Sequence, residues 1–188
     1  MKRHLAIFLR APELGRGKRR LARDIGELAA LRFQRAQIAR LYPMLRDPRW
    51  SATLWVTPDR AAGPHDEGQG RGDLGQRMAR PFRRLPPGPV VLIGADIPEL
   101  TAGHVWAAFR ALGANDAVFG PATDGGYWLV GLGPRRRNRP PFRGVAWSTE
   151  RALADTLRQL NGARVAQLAQ LSDIDTGADY RAWRQRTG

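Results

Sequence analysis

The feature that most constrains this chain is an apolar run, Val90-Val-Leu-Ile-Gly94, that leads straight into Ala95-Asp96-Ile97-Pro98. A run without polar alternation reads as a strand buried on both faces, and such strands belong to parallel sheets covered by helices. Packing has no use for the carboxylate at its tip. An acid at a strand end, beside residues that turn the backbone, is how α/β folds present ligands to a crevice. The stretch from Phe119 to Leu132 repeats the theme: a β-like run is interrupted by Asp124-Gly125-Gly126.

The rest of the chain supplies the partners such strands need. Further strands are expected at His4–Leu9, Ser51–Thr57, Ala117–Phe119, Tyr127–Leu132 and Ala163–Leu168. A long helical pattern runs from about Leu21 to Leu45, with Leu28, Leu31, Ile38, Leu41 and Leu45 recurring near helical spacing. Pro43 should kink or end it. Asp73 is placed to cap a short helix, Thr101 a second that runs to Leu112, and Ser148 a third that runs to Leu160. A last helix starts near Ala178, and residues 61–72 and 133–141 read as loops, the second of them basic. Strands alternating with helices predict a three-layer α/β/α architecture around a mostly parallel sheet. At 188 residues the chain suits one domain over 1–188.

Composition narrows the function. There is no cysteine, hence no disulfide framework, thiolate metal site or thiol nucleophile. No apolar run reaches the length of a bilayer span, so no membrane partner is expected and a cytoplasmic location is the default. The net charge of +14 would attract polyanions. Yet the basic residues are almost all arginine, they are dispersed, and their one dense run, Arg135-Arg-Arg-Asn-Arg139, lies in a loop bounded by proline and glycine. No RNA- or DNA-binding signature accompanies them, so nucleic acid is not the expected partner.

Four constellations carry chemistry, each beside a plainer explanation. Gly15-Arg-Gly-Lys18-Arg-Arg20-Leu21 joins the first strand to the first helix, where α/β folds receive phosphates through backbone N–H groups and nearby cations. It matches neither a dinucleotide fingerprint nor a Walker loop, and a solvated basic turn would look similar. Lys18 stands out because the only other lysine is Lys2. Asp96 could cap a helix or belong to a turn, but Thr101 is available as the cap, which favours a hard oxygen ligand for a divalent ion over a structural acid. Asp124-Gly125-Gly126 could be a simple hairpin turn, while its bare glycines would also let a substrate approach the backbone. Asp173-Ile-Asp175-Thr176 places two acids on one side of an extended segment, with Asp175 or Thr176 as alternative helix caps. Trp147-Ser148-Thr149 looks locally like a helix start.

Taken in order, these pieces resemble one family. The blocks are Gly15-x-Gly-Lys18-x-Arg20-Leu21, Gly72-Asp73-Leu-Gly75-Gln-Arg-Met78, Gly94-Ala-Asp96-Ile-Pro98, Gly120-Pro-Ala-x-Asp124-Gly125-Gly126-Tyr127, Phe142-x-Gly-Val-x-Trp147-Ser148-Thr149 and Asp173-Ile-Asp175-Thr176. They resemble the small GT-A-like transferases associated with radical-SAM and selenodomain proteins, the arsenosugar-biosynthesis-type glycosyltransferases. These are similar to phospholactate/phosphoenolpyruvate guanylyltransferases and, more distantly, to molybdenum-cofactor guanylyltransferases. The resemblance implies a Rossmann-like GT-A (nucleotide-diphospho-sugar transferase) fold with the nucleotide over its N-terminal half. It also implies phosphate neutralisation by Lys18 and Arg20, with Gly15, Gly72, Asp73 and Gly75 near the nucleotide. Asp96, with Asp175 or Asp173 as second ligand, would hold Mg²⁺ or Mn²⁺. Asp124, Gly125, Gly126, Tyr127, Trp147, Ser148 and Thr149 would shape the acceptor side, with Asp124 counted among the catalytic groups.

Two departures matter. The family turn usually reads Lys-Thr-Arg-Leu, and here Arg19 replaces the threonine. The acid block holds one carboxylate rather than Asp-x-Asp. The resemblance implies a glycosyltransferase that takes a nucleotide-sugar and a small-molecule acceptor. The alternatives are a nucleotidyltransferase acting on a phosphorylated or carboxylate acceptor and a binding-only domain. A homo-oligomer is compatible with all three.

Overall fold

The computed structural model describes residues 1–187, with side chains through Arg186. Strands β1 (His4–Arg10), β2 (Ser51–Thr57), β3 (Glu67–Gly68), β4 (Val90–Gly94), β5 (Ala117–Pro121), β6 (Tyr127–Leu132) and β7 (Val165–Gln167) form one sheet in the order β3-β2-β1-β4-β6-β5-β7. All neighbours are parallel except β6, which runs antiparallel to both β4 and β5. Helices α1 (Arg19–Ile25), α2 (Glu27–Leu45), α3 (Leu74–Arg84), α4 (Ala102–Ala111), α5 (Ala152–Arg158) and α6 (Gly177–Thr187) surround it.

The layering follows from side-chain alternation along the strands. In β1, Leu5, Ile7 and Leu9 point to one face and pack with Leu41 and Met44 of α2 and Val105 and Phe109 of α4. Ala6 and Phe8 point to the other and pack with Met78 and Phe82 of α3. Both faces are covered, so β1 can be apolar from Leu5 to Leu9 and β4 throughout. A smaller cluster, Leu21, Ala30, Phe33 and Ile174, ties α1 and α2 to the segment before α6.

Several local expectations change. The pattern over Leu21–Leu45 is two helices, because Gly26 at φ 88° breaks the run; α1 ends there and α2 restarts at Glu27. Pro43 is absorbed in the last turn of α2. Ser148 does not cap α5: its φ is 60°, and the helix begins only after Arg151. Part of the 61–72 loop pairs with β2 as the short strand β3. Asp73 and Thr101 do cap α3 and α4, each in a reciprocal box, with Gln76 and His104 respectively.

The basic loop is not all solvated. Arg137 is 5% exposed, and its guanidinium donates to the carbonyls of Phe82, Leu85, Pro86 and Gly88. Those carbonyls belong to the end of α3 and the proline-rich turn before β4, so Arg137 pins the approach to the central strand.

Candidate active site

The sheet order reverses between β1 and β4, because β1 is followed in the chain by β2 on one side and flanked by β4 on the other. A crevice opens beyond the carboxyl ends of strands at such a switch point. The turn after β1 carries Lys18, and the turn after β4 carries Asp96. The register pairs Phe8 with Gly94, and Ala95 N–H donates to the Phe8 carbonyl at 3.1 Å, so the two turns leave the sheet side by side. Antiparallel β6 begins at this same end, which brings Asp124–Tyr127 next to Asp96.

Lys18 is the centre of the arrangement. Its side chain is 5% exposed, and Nζ lies 2.9 Å from Asp175 Oδ1 and 3.5 Å from Asp96 Oδ1. Burial works against its charge, but Asp96 and Asp175 outweigh burial and hold the ammonium pKa above its ordinary value. Lys18 reaches this point from a left-handed backbone, φ 40° and ψ 41°, directly after Gly15 and Gly17, which also have positive φ. A left-handed conformation costs a non-glycine residue about 1 kcal/mol, and such strain concentrates at functional sites. Among the described residues the two non-glycine residues with positive φ are Lys18 and Ser148, and both line the crevice.

Thr176 settles which residue of Asp173–Thr176 is the cap. Its hydroxyl accepts from Asp179 N–H at 3.2 Å, and its own N–H donates to Asp179 Oδ2 at 2.8 Å. That reciprocal bond opens α6 and leaves Asp175 free to pair with Lys18. Asp173 lies among like charges. Burial first, then the Asp175 and Asp124 carboxylates, push its pKa up to about 6 against the opposing pull of Lys18.

The crevice has three connected parts of different character. An open basin is walled by Arg10, Arg16, Lys18, Arg19 and Arg20, with Gly15 and Gly17 as its floor. A central hollow of about 300 Å³ shares Arg10, Gly17, Lys18 and Asp175 with it and adds Thr57, Gln69 and Arg77. A third hollow of about 380 Å³ meets the central one at Leu74, Gly94 and Asp96 and is walled by Asp124, Tyr127, Trp147 and Asp173. Gly126, Ser148 and Thr149 also line it.

The site residues expected from sequence therefore divide. Lys18, Asp96, Asp124 and Asp175 come together, and Gly15 and Arg20 share the basin. Arg20, exposed on the basin's rim, does not line the central hollow but shares a further hollow of about 340 Å³ with Asp124, Asp173 and Asp175. Gly72, Asp73 and Gly75 do not line the crevice: Asp73 is used up as a cap, and Gly75 lies inside α3. A Cβ on Gly75 would sit 2.5 Å from the Phe142 carbonyl and 2.8 Å from the Trp147 ring, so this glycine lets α3 press against the aromatic wall. Asp124-Gly125 is both a hairpin turn and a crevice wall. It joins β5 to β6, Gly125 has φ 82°, and Asp124 Oδ1 accepts from Gly126 N–H at 2.9 Å.

Sequence reasoning missed Arg10, Gln69 and Arg77. Gln69 is buried; its amide donates to the Leu9 and Trp55 carbonyls and its oxygen accepts from Arg77. Arg77 in turn keeps a buried Nε without a partner among the described residues. Burial, then the neighbouring Arg10 and Arg80, lower its pKa. In a chain so rich in arginine nothing local separates these two from the rest. The available clue was that Arg10 ends β1 and Arg77 stands one turn into α3.

Comparison with known proteins agrees with this fold. Residues 31–149 match the family described as an uncharacterized protein conserved in bacteria, DUF2064. The chain belongs to that family. A search of curated proteins gives no match. Among solved structures, the chain of this family is similar to one from Desulfovibrio desulfuricans G20 described as a "putative nucleotide-diphospho-sugar transferase". Identity is 26%, the TM-score is 0.92, and the alignment covers 100% of this chain and 88% of that one. The fold is also similar to 4-diphosphocytidyl-2C-methyl-D-erythritol synthase from Anaerococcus prevotii DSM 20548 (12% identity, TM-score 0.60, 98% and 97% covered). A third relative in fold is molybdopterin-guanine dinucleotide biosynthesis protein A from Archaeoglobus fulgidus (11% identity, TM-score 0.55, 98% of each chain). The fold is that of the nucleotide-diphospho-sugar transferases and nucleotidyltransferases. No helix among the described residues is long and apolar enough to cross a membrane.

The donor chemistry fits a divalent ion held by two carboxylates. Asp96 and Asp175 both turn an oxygen toward one point, the place taken by the Lys18 ammonium, and oxygen is the donor that Mg²⁺ and Mn²⁺ prefer. No group of three or more His, Asp or Glu residues among the described residues is arranged as a metal site. The remaining ligands would have to be phosphate oxygens and water, the usual arrangement for Mg²⁺ at a nucleotide.

Proposed function

We propose that this protein is a glycosyltransferase that binds a nucleotide-sugar across the switch-point crevice, with Mg²⁺ or Mn²⁺, and passes the sugar to a small-molecule acceptor. The observation that carries the reading is the division of the crevice. A basic basin and an acid-lined hollow are joined through the central hollow, where Lys18 lies between Asp96 and Asp175. Lys18, Arg20 and the basin arginines would neutralise the diphosphate, and Arg77 and Arg10 would meet the nucleotide in the central hollow. The acceptor would sit against Asp124, Gly125, Gly126, Tyr127, Trp147, Ser148 and Thr149.

In the transfer, the acceptor oxygen bonds to the anomeric carbon as that carbon's bond to the β-phosphate oxygen breaks. The bonding pair stays on the diphosphate, and the hydroxyl proton goes to a carboxylate of the acidic hollow, which we assign to Asp124. Charge grows on the leaving phosphate, so the cations around it do the most for the rate. A divalent ion held by Asp96 and Asp175 would add its positive charge there. The 26% identity to the Desulfovibrio protein and the resemblance to arsenosugar-type glycosyltransferases support sugar transfer.

Nucleotidyl transfer is the second reading. The fold it shares with the erythritol-phosphate and molybdopterin proteins favours it, as does a basin suited to pyrophosphate. The two differ in what leaves. Incubation with UDP-, GDP- and dTDP-sugars or with NTPs, with Mn²⁺ and a mixed acceptor pool, should release nucleoside diphosphate from a nucleotide-sugar. Pyrophosphate from an NTP, with every nucleotide-sugar intact, would replace the first reading by the second. Stabilisation by nucleotide alone, read as a shift in Tm, reports binding apart from turnover.

A further inference from the structure

The acidic hollow is an anomaly in this chain. The protein carries 31 lysines and arginines and a net charge of +14, yet none of those cations lines this hollow. Its walls hold three carboxylates, Asp96, Asp124 and Asp173, and the rings of Tyr127 and Trp147. The basin on the other side of Lys18 has the reverse character. Lys18, the nearest cation of the cluster, is already engaged by Asp96 and Asp175.

Asp124 and Asp173 have no ion-pair partner among the described residues. Asp124 spends one oxygen on Gly126 N–H. Ionised carboxylates are acceptors only, so what they lack is hydrogen-bond donors. A phosphate or carboxylate on the incoming molecule would bring no donor, would find no lysine or arginine in the wall of this hollow and would face three carboxylates. Hydroxyl groups bring donors without charge. The rings set the other half of the requirement: Tyr127 and Trp147 meet edge-to-face at 6.4 Å and 72°, which gives the wall an apolar corner. Gly126 and Ala152 add small residues to the lining.

We propose that this hollow is the acceptor subsite for an uncharged polyhydroxylated molecule, a sugar or polyol that carries no phosphate or carboxylate. Its hydroxyls donate to Asp124 and Asp173, and its C–H face rests on Trp147 and Tyr127. The word acceptor rests on the transferase reading; the charge selectivity of the hollow does not.

The test is equilibrium binding, by calorimetry or ligand-observed NMR, to the full chain alone and with UDP and Mg²⁺. The probes are glucose, galactose, ribose and glycerol, each beside its monophosphate. At least one neutral probe is expected to bind at least tenfold more tightly than its own phosphate. The gap should shrink in Asp124→Asn/Asp173→Asn, and Trp147→Ala should weaken the neutral probe. Raising NaCl from 20 to 500 mM should also narrow the gap by screening, a readout that needs no variant to fold. Tighter binding of the phosphates with the basin filled by UDP and Mg²⁺, or no binding of any neutral probe, overturns the proposal. If the charge order holds but no nucleotide binds, the transferase reading fails and the subsite stands. If nucleotides bind and the charge order is reversed, the subsite alone fails.

Discussion

Replacing Lys18 by methionine keeps the side-chain stem and the left-handed backbone, so the change isolates the ammonium. Two carboxylates lie 2.9 and 3.5 Å from Nζ. At an effective dielectric near 20 the gross attractions are about 6 and about 5 kcal/mol. Most of that is offset by desolvation of Lys18 and by solvent around its partners: the Asp175 and Asp96 side chains are 50% and 66% exposed. Fully exposed pairs contribute up to about 1 kcal/mol, while breaking a buried one costs about 3–5 kcal/mol. A buried cation with half-exposed anions falls between, and Lys18→Met should cost about 2 kcal/mol, or about 4–8 °C in Tm for a chain of this length.

The assay is a double-mutant cycle by urea unfolding at pH 7. The Lys18 pKa is raised, so its contribution is fully present below the unfolded value of 10.5 and the cycle is insensitive to small pH errors. Lys18→Met/Asp175→Asn should be less destabilised than the sum of the single changes, by about 1 kcal/mol, because the second change removes a carboxylate that has lost its partner. Lys18→Gly should recover about 1 kcal/mol of backbone strain and separate that effect from charge. Single changes that add to within about 0.5 kcal/mol would refute the pairing as a source of stability.

Arg137→Met should be among the most damaging single changes, costing about 3 kcal/mol by denaturation, because it strips the donor from four carbonyls around a buried guanidinium. Gly75→Ala should cost about 2 kcal/mol, since the new methyl meets the Phe142 carbonyl and the Trp147 ring; calorimetry reads the loss, and an unchanged Tm would mean that α3 can shift freely. His4 is buried with Nε2 unpartnered; burial, despite a bond to the Pro87 backbone, lowers its pKa. The unfolded chain then binds more protons below pH 6.5, so stability is lost as pH falls through that value, and the Tm drop from pH 7.5 to 5.5 should be smaller in His4→Gln. Manganese without nucleotide should raise the Tm of Lys18→Met more than that of the natural chain, because the ammonium no longer competes for Asp96 and Asp175.

The fold was legible because its signals are local. Val90–Gly94 is unbroken and apolar, Ser51–Thr57 is rich in β-branched residues, and Asp73 and Thr101 announce their helices by capping. Errors fell where one residue overrides a pattern. Gly26 breaks a helical period that the leucines carry straight through, and Ser148 is drawn into a left-handed turn although its side chain suits a cap. The site was legible only in part. Lys18 could be seen by rarity, and Asp96 by its place on an apolar strand. Arg10 and Arg77 could not be seen, because their importance comes from facing each other across the crevice between β1 and α3.

Net charge is the property that misleads most when read from composition alone. A value of +14 suggests a surface for polyanions, but its spatial distribution depends on topology. The turn after β1 and the first turns of α1 collect Arg16, Lys18, Arg19 and Arg20 on one side of the switch point. The turns after β4 and β5 and the segment after β7 collect Asp96, Asp124 and Asp173 on the other, with Asp175 at the boundary beside Lys18. Because β6 runs antiparallel, the acid of the β5–β6 hairpin is delivered to the same end of the sheet as the acid after β4. Were β6 parallel, a crossover of a dozen or more residues would have to replace that tight hairpin, and Asp124 would lose its place beside Asp96. The division of the crevice into cationic and anionic halves is therefore a consequence of strand order and of one reversed strand. It survives any drift in the number of surface arginines. Replacing several exposed arginines outside the basin, such as Arg32, Arg35, Arg110 and Arg158, should lower the net charge while leaving nucleotide affinity nearly unchanged at 150 mM salt. Arg19→Gln and Arg20→Gln should each weaken it several-fold. Equal losses from both sets would mean that the long-range field, and not the basin, holds the nucleotide.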